Sequence, residues 1–271
     1  VAESAIAQLG VWRRLVGARI RSGWQYRTSF FLFLLSQTLV MCLDFAVILS
    51  IFTKVDALAG WSAVEVALLY GLSGVAFGMA DTFISAVENA TTHIKAGTFD
   101  LFLLRPVSPL LHLTASEFEL RRIGRVLQPL AVLVGAVVLL EVDWTAGRVA
   151  LVPLTLVAGT VIFGAVWIAT SAMAFWTVES QEMGNAFTYG GNLAAQYPLD
   201  VLGDWLRHLF TFVFPLAFVA YLPASEIVGK DTPLGLPDWT VWSSPLVALL
   251  AALVALAVWR AAIRHHQSTG S

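Results

Sequence analysis

Six stretches of the chain are apolar over roughly the 20 residues that one helix needs to cross a bilayer. They are Phe30–Thr53, Ser62–Val87, Ile123–Leu140, Val149–Val178, Trp205–Leu222 and Ser244–Ile263. Within them apolar residues follow one another without the strict alternation of a barrel strand. Lipid offers an open backbone no hydrogen-bond partners, so helix is the expected conformation. The pattern predicts an all-α integral membrane protein with six transmembrane helices. Composition agrees: 58% of residues are hydrophobic and 13% charged, against about 25% charged in a soluble domain.

The intervals between these stretches alternate in charge. Arg13, Arg14, Arg19, Arg21, Arg27, Lys95, Arg105, Arg121, Arg122, Arg125, Arg207, Arg260 and Arg264 fall on one side, and Lys54, Arg148 and Lys230 on the other. Cytoplasmic loops collect Lys and Arg, so the first set and both termini are expected in the cytoplasm. Trp61, Trp144, Trp239 and Trp242 fall at the outer ends, Trp12, Trp24, Trp176, Trp205 and Trp259 near the inner ends, and Trp167 in mid-span. That distribution fits an aromatic belt at each interface.

Three polar intervals have character of their own. In residues 1–29, Leu9, Trp12, Val16, Ile20 and Trp24 recur at helical spacing, with Arg14 and Arg21 to one side. A basic helix of this kind lies in the interface plane, although Arg13 falls near the stripe and a plain positive flank is the alternative. No apolar core of signal-peptide length precedes these arginines. Residues 179–204, "ESQEMGNAFTYGGNLAAQYPLDVLGD", are too polar and glycine-rich for a span and are expected as a cytoplasmic interfacial loop or helix. Residues 222–241 are expected outside, their prolines suggesting short re-entrant pieces. The organisation is thus an amphipathic segment (1–29), a six-helix domain (30–263) and a cytoplasmic tail (264–271).

The sequence carries no phosphate loop, no H-E-x-x-H and no metal-spaced Cys/His set. No G-x-S-x-G elbow is present, and the one cysteine, Cys42, precludes an intrachain disulfide. No catalytic, cofactor or metal site is expected, and transport is favoured over catalysis. Charges inside spans mark transport pathways. Asp44 lies deep in the first span without a basic partner at its depth; Asp81 lies toward the inner end of the second, where it could also reach cytoplasmic water. Both are candidate pathway residues. The small residues of "GLSGVAFGMA" (71–80) suit close helix packing between two membrane subunits.

One segment is apolar yet punctuated: "IKAGTFDLFLLRPVSPL", 94–110. Gly97 permits a sharp turn, and Pro106 ends a short helix because the residue before proline disfavours the α region. Gly97, Thr98, Phe99, Asp100, Leu101, Phe102, Leu103, Leu104, Arg105 and Pro106 resemble the coupling helix of permeases in the type-2 ABC exporter superfamily. "WQYRTSFF", "GWSAVEVALLYG" and "QYPLDVLGDWLRHLFTFVFPLAFVAYLPASEIVG" resemble a subgroup with two different permeases and one ATPase, some members linked to export of drugs or dicationic viologens. The resemblance implies six helices per subunit, two copies of an ABC ATPase that hold ATP and Mg, a second permease of a different chain, and the inner membrane of a bacterium. The apolar side presented to the ATPase would be Phe99, Phe102 and Leu103, or Leu101 and Leu104, depending on helical phase.

The expected function is a transmembrane permease subunit forming half of an export pathway for a hydrophobic or amphipathic, cationic drug-like substrate. A separate chain hydrolyses ATP; this one binds no cofactor, and its surroundings are lipid, with no nucleic-acid partner. The alternatives are a proton-driven secondary transporter, which often shows an internal repeat, and a membrane scaffold subunit.

Overall fold

The computed structural model describes residues 5–105, 107–177 and 180–265. Among them every regular element is helical. In chain order they are α1 (Ala5–Gln25), α2 (Arg27–Phe52), α3 (Ala63–Phe83), α4 (Ala90–Lys95), α5 (Asp100–Leu103) and α6 (Pro109–Ser116). There follow α7 (Gly124–Leu139), α8 (Ala146–Ala172), α9 (Ser180–Ala195), α10 (Asp204–His208), α11 (Tyr221–Val228) and α12 (Ser244–His265). Five of these, α2, α3, α7, α8 and α12, are long and apolar enough to cross a membrane on their own, the α7 and α8 spans being extended by adjoining 3₁₀ turns. We call the end of the bundle holding Arg27, Arg122 and Arg125 the near end, and the end holding Trp61, Trp144 and Trp242 the far end.

α3 is the axis of the bundle. Its start is fixed by a capping box: the Glu65 amide donates to Ser62 Oγ at 3.4 Å, and the Ser62 amide donates to the Glu65 carboxylate at 2.7 Å. From Val66 to Thr82 almost every residue is buried. Gly71, Gly74 and Gly78 face α7 across a close approach. A Cβ on Gly71 would lie 2.7 Å from Leu133 Cα, and one on Gly74 2.7 Å from Pro129 Cβ. The small residues expected to join two permeases are therefore consumed inside this chain, where they bring α3 and α7 nearly backbone to backbone. α2 is the opposite case, with 6% of its apolar core buried against 78% of that of α3.

The sixth crossing differs from the sequence expectation. Trp205–Leu222 is not one helix: α10 with its π-helical extension to Val213 meets the Leu216–Val228 run at 74°. Pro215, which lacks an amide hydrogen, stands at the break. The polar interval expected as a cytoplasmic interfacial loop or helix is the helix α9, and it lies inside the bundle rather than at its edge. Near its start Gly184 lies against Thr170; further along Tyr189 packs on Phe77 and Trp167. Ser73 Oγ donates to Asn192 at 3.0 Å, and beyond the helix Asp200 accepts from the Tyr221 hydroxyl, whose ring rests on Trp61 at the far end. Sixteen residues span about 24 Å, enough to traverse most of the apolar layer.

The run 204–228 is thus a hairpin that enters from the far end. It descends to Phe214, whose ring stacks on Phe187 of α9 with centroids 4.0 Å apart, and returns through α11. Gly229 caps α11 in the left-handed conformation, and Lys230 then pairs with Glu65 at 3.2 Å. With α9 added to the five long helices, six helices build the bundle among the described residues, and α1 and the last turn of α12 lie at the same end. Arg207 and Trp205 move to the far end, where Arg207 binds Asp200 and Asp204. The expectation of short re-entrant pieces in 222–241 holds for α11, although the re-entry begins earlier in the chain.

α1 lies against α6 at the near end. Trp12 Nε1 donates to Thr114 Oγ1 at 3.3 Å, and Val16 packs with Ala115 and Phe118. This is the helix expected from the spacing of Trp12, Val16 and Ile20. In the tail, Arg264 and His265 complete α12, and residues 266–271, like Pro106 and Val178, lie outside the described residues.

Candidate functional site

The chain leaves α3 at the near end through a 3₁₀ turn, Ser85–Asn89, and α4. Gly97, with φ 67°, reverses it, a left-handed geometry that glycine adopts at no steric cost. The His93 carbonyl accepts from the amides of Thr98 and Phe99 at 2.9 and 3.1 Å, closing the turn. His93 Nδ1 lies 3.0 Å from Thr98 Oγ1, and its Nε2 lies 3.4 Å from Glu117. The loop is therefore held from both sides by side chains that the sequence pattern did not single out.

The phase of the short helix is settled by two phenylalanines. Phe99 is 0% exposed, with its ring 5.0 Å from that of Phe175 and 6.5 Å from Trp259. Phe102 is buried between two imidazoles, His93 at 4.8 Å and His112 at 5.0 Å. Both rings point into the chain's own bundle, so neither is free to meet a partner. Leu101 and Leu104 point away, 61% and 81% exposed, and Leu103 joins them in part. Asp100 opens α5 and Arg105 follows it, with its Nη1 2.6 Å from His112 Nε2. Burial and the neighbouring guanidinium hold His112 below its ordinary titration range.

Directly beneath the loop is an ion cluster. Asp81 is 0% exposed. Arg122 donates to one carboxylate oxygen and Arg125 to the other, each at 2.8 Å. Arg122 also donates to Ser85 Oγ at 2.6 Å and to Glu119 at 3.2 Å, and Arg125 donates to Gln37 at 3.2 Å. One cluster thereby joins α2, α3, α7 and the exit of the loop. Asp81 therefore does not face open water, and it is not among the residues that line the pocket at Asp44.

Asp44 is placed differently. It lines a half-open pocket of about 350 Å³ between α2, α3 and α9, with Arg125 of α7 in the wall. The wall is polar at several points: Gln37, Arg125, Tyr189, Asn192, Gln196 and Tyr197. Among the described residues Asp44 has no ion-pair partner, as its depth in the sequence suggested. The residues missed from sequence are those on α9, because that segment was placed at the cytoplasmic interface, as a loop or helix, and not inside the bundle. Arg125 was counted only as a marker of sidedness.

Residues 38–270 match the family model described as ABC-2 family transporter protein. The chain belongs to the ABC-2 transporter family. No curated protein and no solved structure matched it. As an ABC-2 permease it is the multi-pass membrane component of an ABC transporter, and the family implies an ABC ATPase as partner and lipid as surroundings. Permeases of this family are transport components and generally non-catalytic.

Proposed function

We propose that this permease forms half of an export pathway and that the Leu101–Leu104 tip is where its ATPase docks. The observation that carries this reading is the split of one short helix into two faces. Phe99 and Phe102 root it in the bundle, while Leu101 and Leu104 stand out beyond the crossing helices. A rooted apolar tip transmits displacement, since moving it moves Phe175 and Trp259 with it. Asp100 and Arg105 flank the tip, where charge sets register more than affinity. The near end, rich in arginine, is then cytoplasmic by the positive-inside rule, and the membrane is a bacterial inner membrane.

The cavity at Asp44 is half of the pathway. Its carboxylate offsets the desolvation of a cationic amphipathic cargo, and the second half comes from another permease, of a different chain, laid against exposed α2. A proton-driven carrier is the weaker reading, because the second carboxylate it would need, Asp81, is clamped by two arginines. The test is L101D/L104D in the full chain. It should insert normally and lose both transport and co-purifying ATPase. Wild-type retention of the ATPase would remove the docking assignment.

A further inference from the structure

We propose that the outer face of α1 is a binding site for the headgroup of an anionic phospholipid. Gly10, Arg14, Gly17 and Arg21 recur every three or four residues and so share one face of the helix. With Arg13 they surround a recess of about 500 Å³. The glycines form its floor: no atom lies within 4 Å of a Cβ built at Gly10, and the nearest to one at Gly17 is the Arg21 guanidinium at 3.5 Å. The backbones of Arg14 and Arg21, seven positions apart, stand about 10 Å from each other along the axis, and the Arg21 guanidinium reaches back over Gly17 to form a shallow saddle between them.

Charge says what fits the saddle. No acidic residue lies between Ser4 and Asp44 in the sequence. Among the described residues Arg13, Arg14 and Arg21 have no ion-pair partner, whereas Arg121, Arg122 and Arg125, a short distance away, all have one. Guanidinium groups match phosphate oxygens in a two-pronged fashion, which favours a phosphate group over a simple counter-ion. Position says where the phosphate comes from. The opposite side of α1 is packed on α6 through Trp12 and Val16, and Leu9 and Trp24 remain exposed. An exposed Leu and Trp beside an arginine saddle, on a helix at the end of a membrane bundle, place the saddle at headgroup level with acyl chains alongside. Free phosphate would use the arginines and gain nothing from the exposed surface of Leu9 and of Trp24, whose ring also meets Phe30 and Phe31. The site is independent of cargo and of the docking assignment above.

The test uses the purified full-length chain in mild detergent, stripped of lipid. Dioleoylphosphatidylglycerol and dioleoylphosphatidylcholine are added in competition, and bound lipid is counted by native mass spectrometry. A basic residue at an anionic surface is worth roughly fivefold in binding, so three should give at least a tenfold preference for phosphatidylglycerol. R13Q/R14Q/R21Q should bring the two lipids to parity without lowering phosphatidylcholine binding, and R13K/R14K/R21K should keep part of the preference. Parity in the wild type, or an unchanged preference in the glutamine variant, would overturn the proposal. So would displacement of phosphatidylglycerol by millimolar inorganic phosphate, which would make the saddle a free-anion site.

Discussion

Ser73 Oγ donates to Asn192 Oδ1 across 3.0 Å, halfway along the axial helix of the bundle. A hydrogen bond at that depth requires α9 to be inside the bundle, and it decides the direction of everything after α8. The chain then reaches the far end at Asp200, not at Leu222. A cysteine at Asp204, whose side chain is 84% exposed, should therefore share the accessibility of one at Gly235 in a Cys42→Ser background. Both should react with an impermeant thiol reagent from outside cells, and one at Ser108 should not. Protection of position 204 alone would restore the single helix from 205 to 222.

Phe99→Ala should uproot α5 and its exposed leucine tip. A buried phenylalanine truncated to alanine costs about 3–5 kcal/mol. Its ring touches those of Phe175 and Trp259 near the ends of α8 and α12. Melting of the detergent-solubilised protein should drop markedly, and the near-end amides should exchange faster. Leu104→Ala, at an exposed position, should leave the melting temperature where it is.

Arg122→Ala should be more harmful than Asp44→Asn. The first leaves the buried Asp81 carboxylate with Arg125 alone and removes the links to Ser85 and Glu119, at a cost that stays below the roughly 3–5 kcal/mol of a buried charge left with no partner. The second removes a charge from a cavity wall and no ion pair. Expression and melting should fall for Arg122→Ala and hold for Asp44→Asn. In transport assays Asp44→Asn should lower export of cations more than of neutral compounds; equal loss for both would make Asp44 structural.

Stability should fall on mild acidification through His112. Its folded titration point lies below the ordinary value of 6.5, because burial and then Arg105 disfavour the charged ring. As the pH drops past 6.5 the unfolded chain takes up the proton first. The contribution present above that value is lost on the way down and levels off once the folded ring is protonated too. His112→Gln should flatten this part of a melting-temperature profile between pH 7 and 5.

Much of the architecture was legible from apolar runs alone: α2, α3, α7, α8 and α12 lie where the runs are. The chain near Gly97 was legible for a different reason, since glycine and proline punctuate an apolar stretch. What could not be read was pairing. Asn192 and Tyr189 argue for water when seen alone. In the fold Asn192 meets Ser73, Tyr189 lies under the Arg125 guanidinium, and the bare backbone of Gly191 admits Leu216. Likewise the run 205–222 has the length of a span, and only its prolyl break at Pro215 hinted that it turns back. The phase of α5 depended on which rings Phe99 and Phe102 would find, and those come from residues as distant as Trp259.

The contrast between a swallowed α3 and a bare α2 bears on how this subunit could be studied by sequence variation. Substitutions along α3 report on whether one polypeptide can close on itself, so they will be punished in any assay, with or without companions. Substitutions along the outward side of α2 (Leu32, Leu35, Leu39, Leu43 and Val47 are all more than 50% exposed) are invisible to that requirement. A mutational scan run twice, once with the whole operating assembly selected for and once with mere membrane abundance selected for, should give superimposable profiles for α3 and divergent ones for α2. The positions that diverge would trace the footprint of whatever stands next to it.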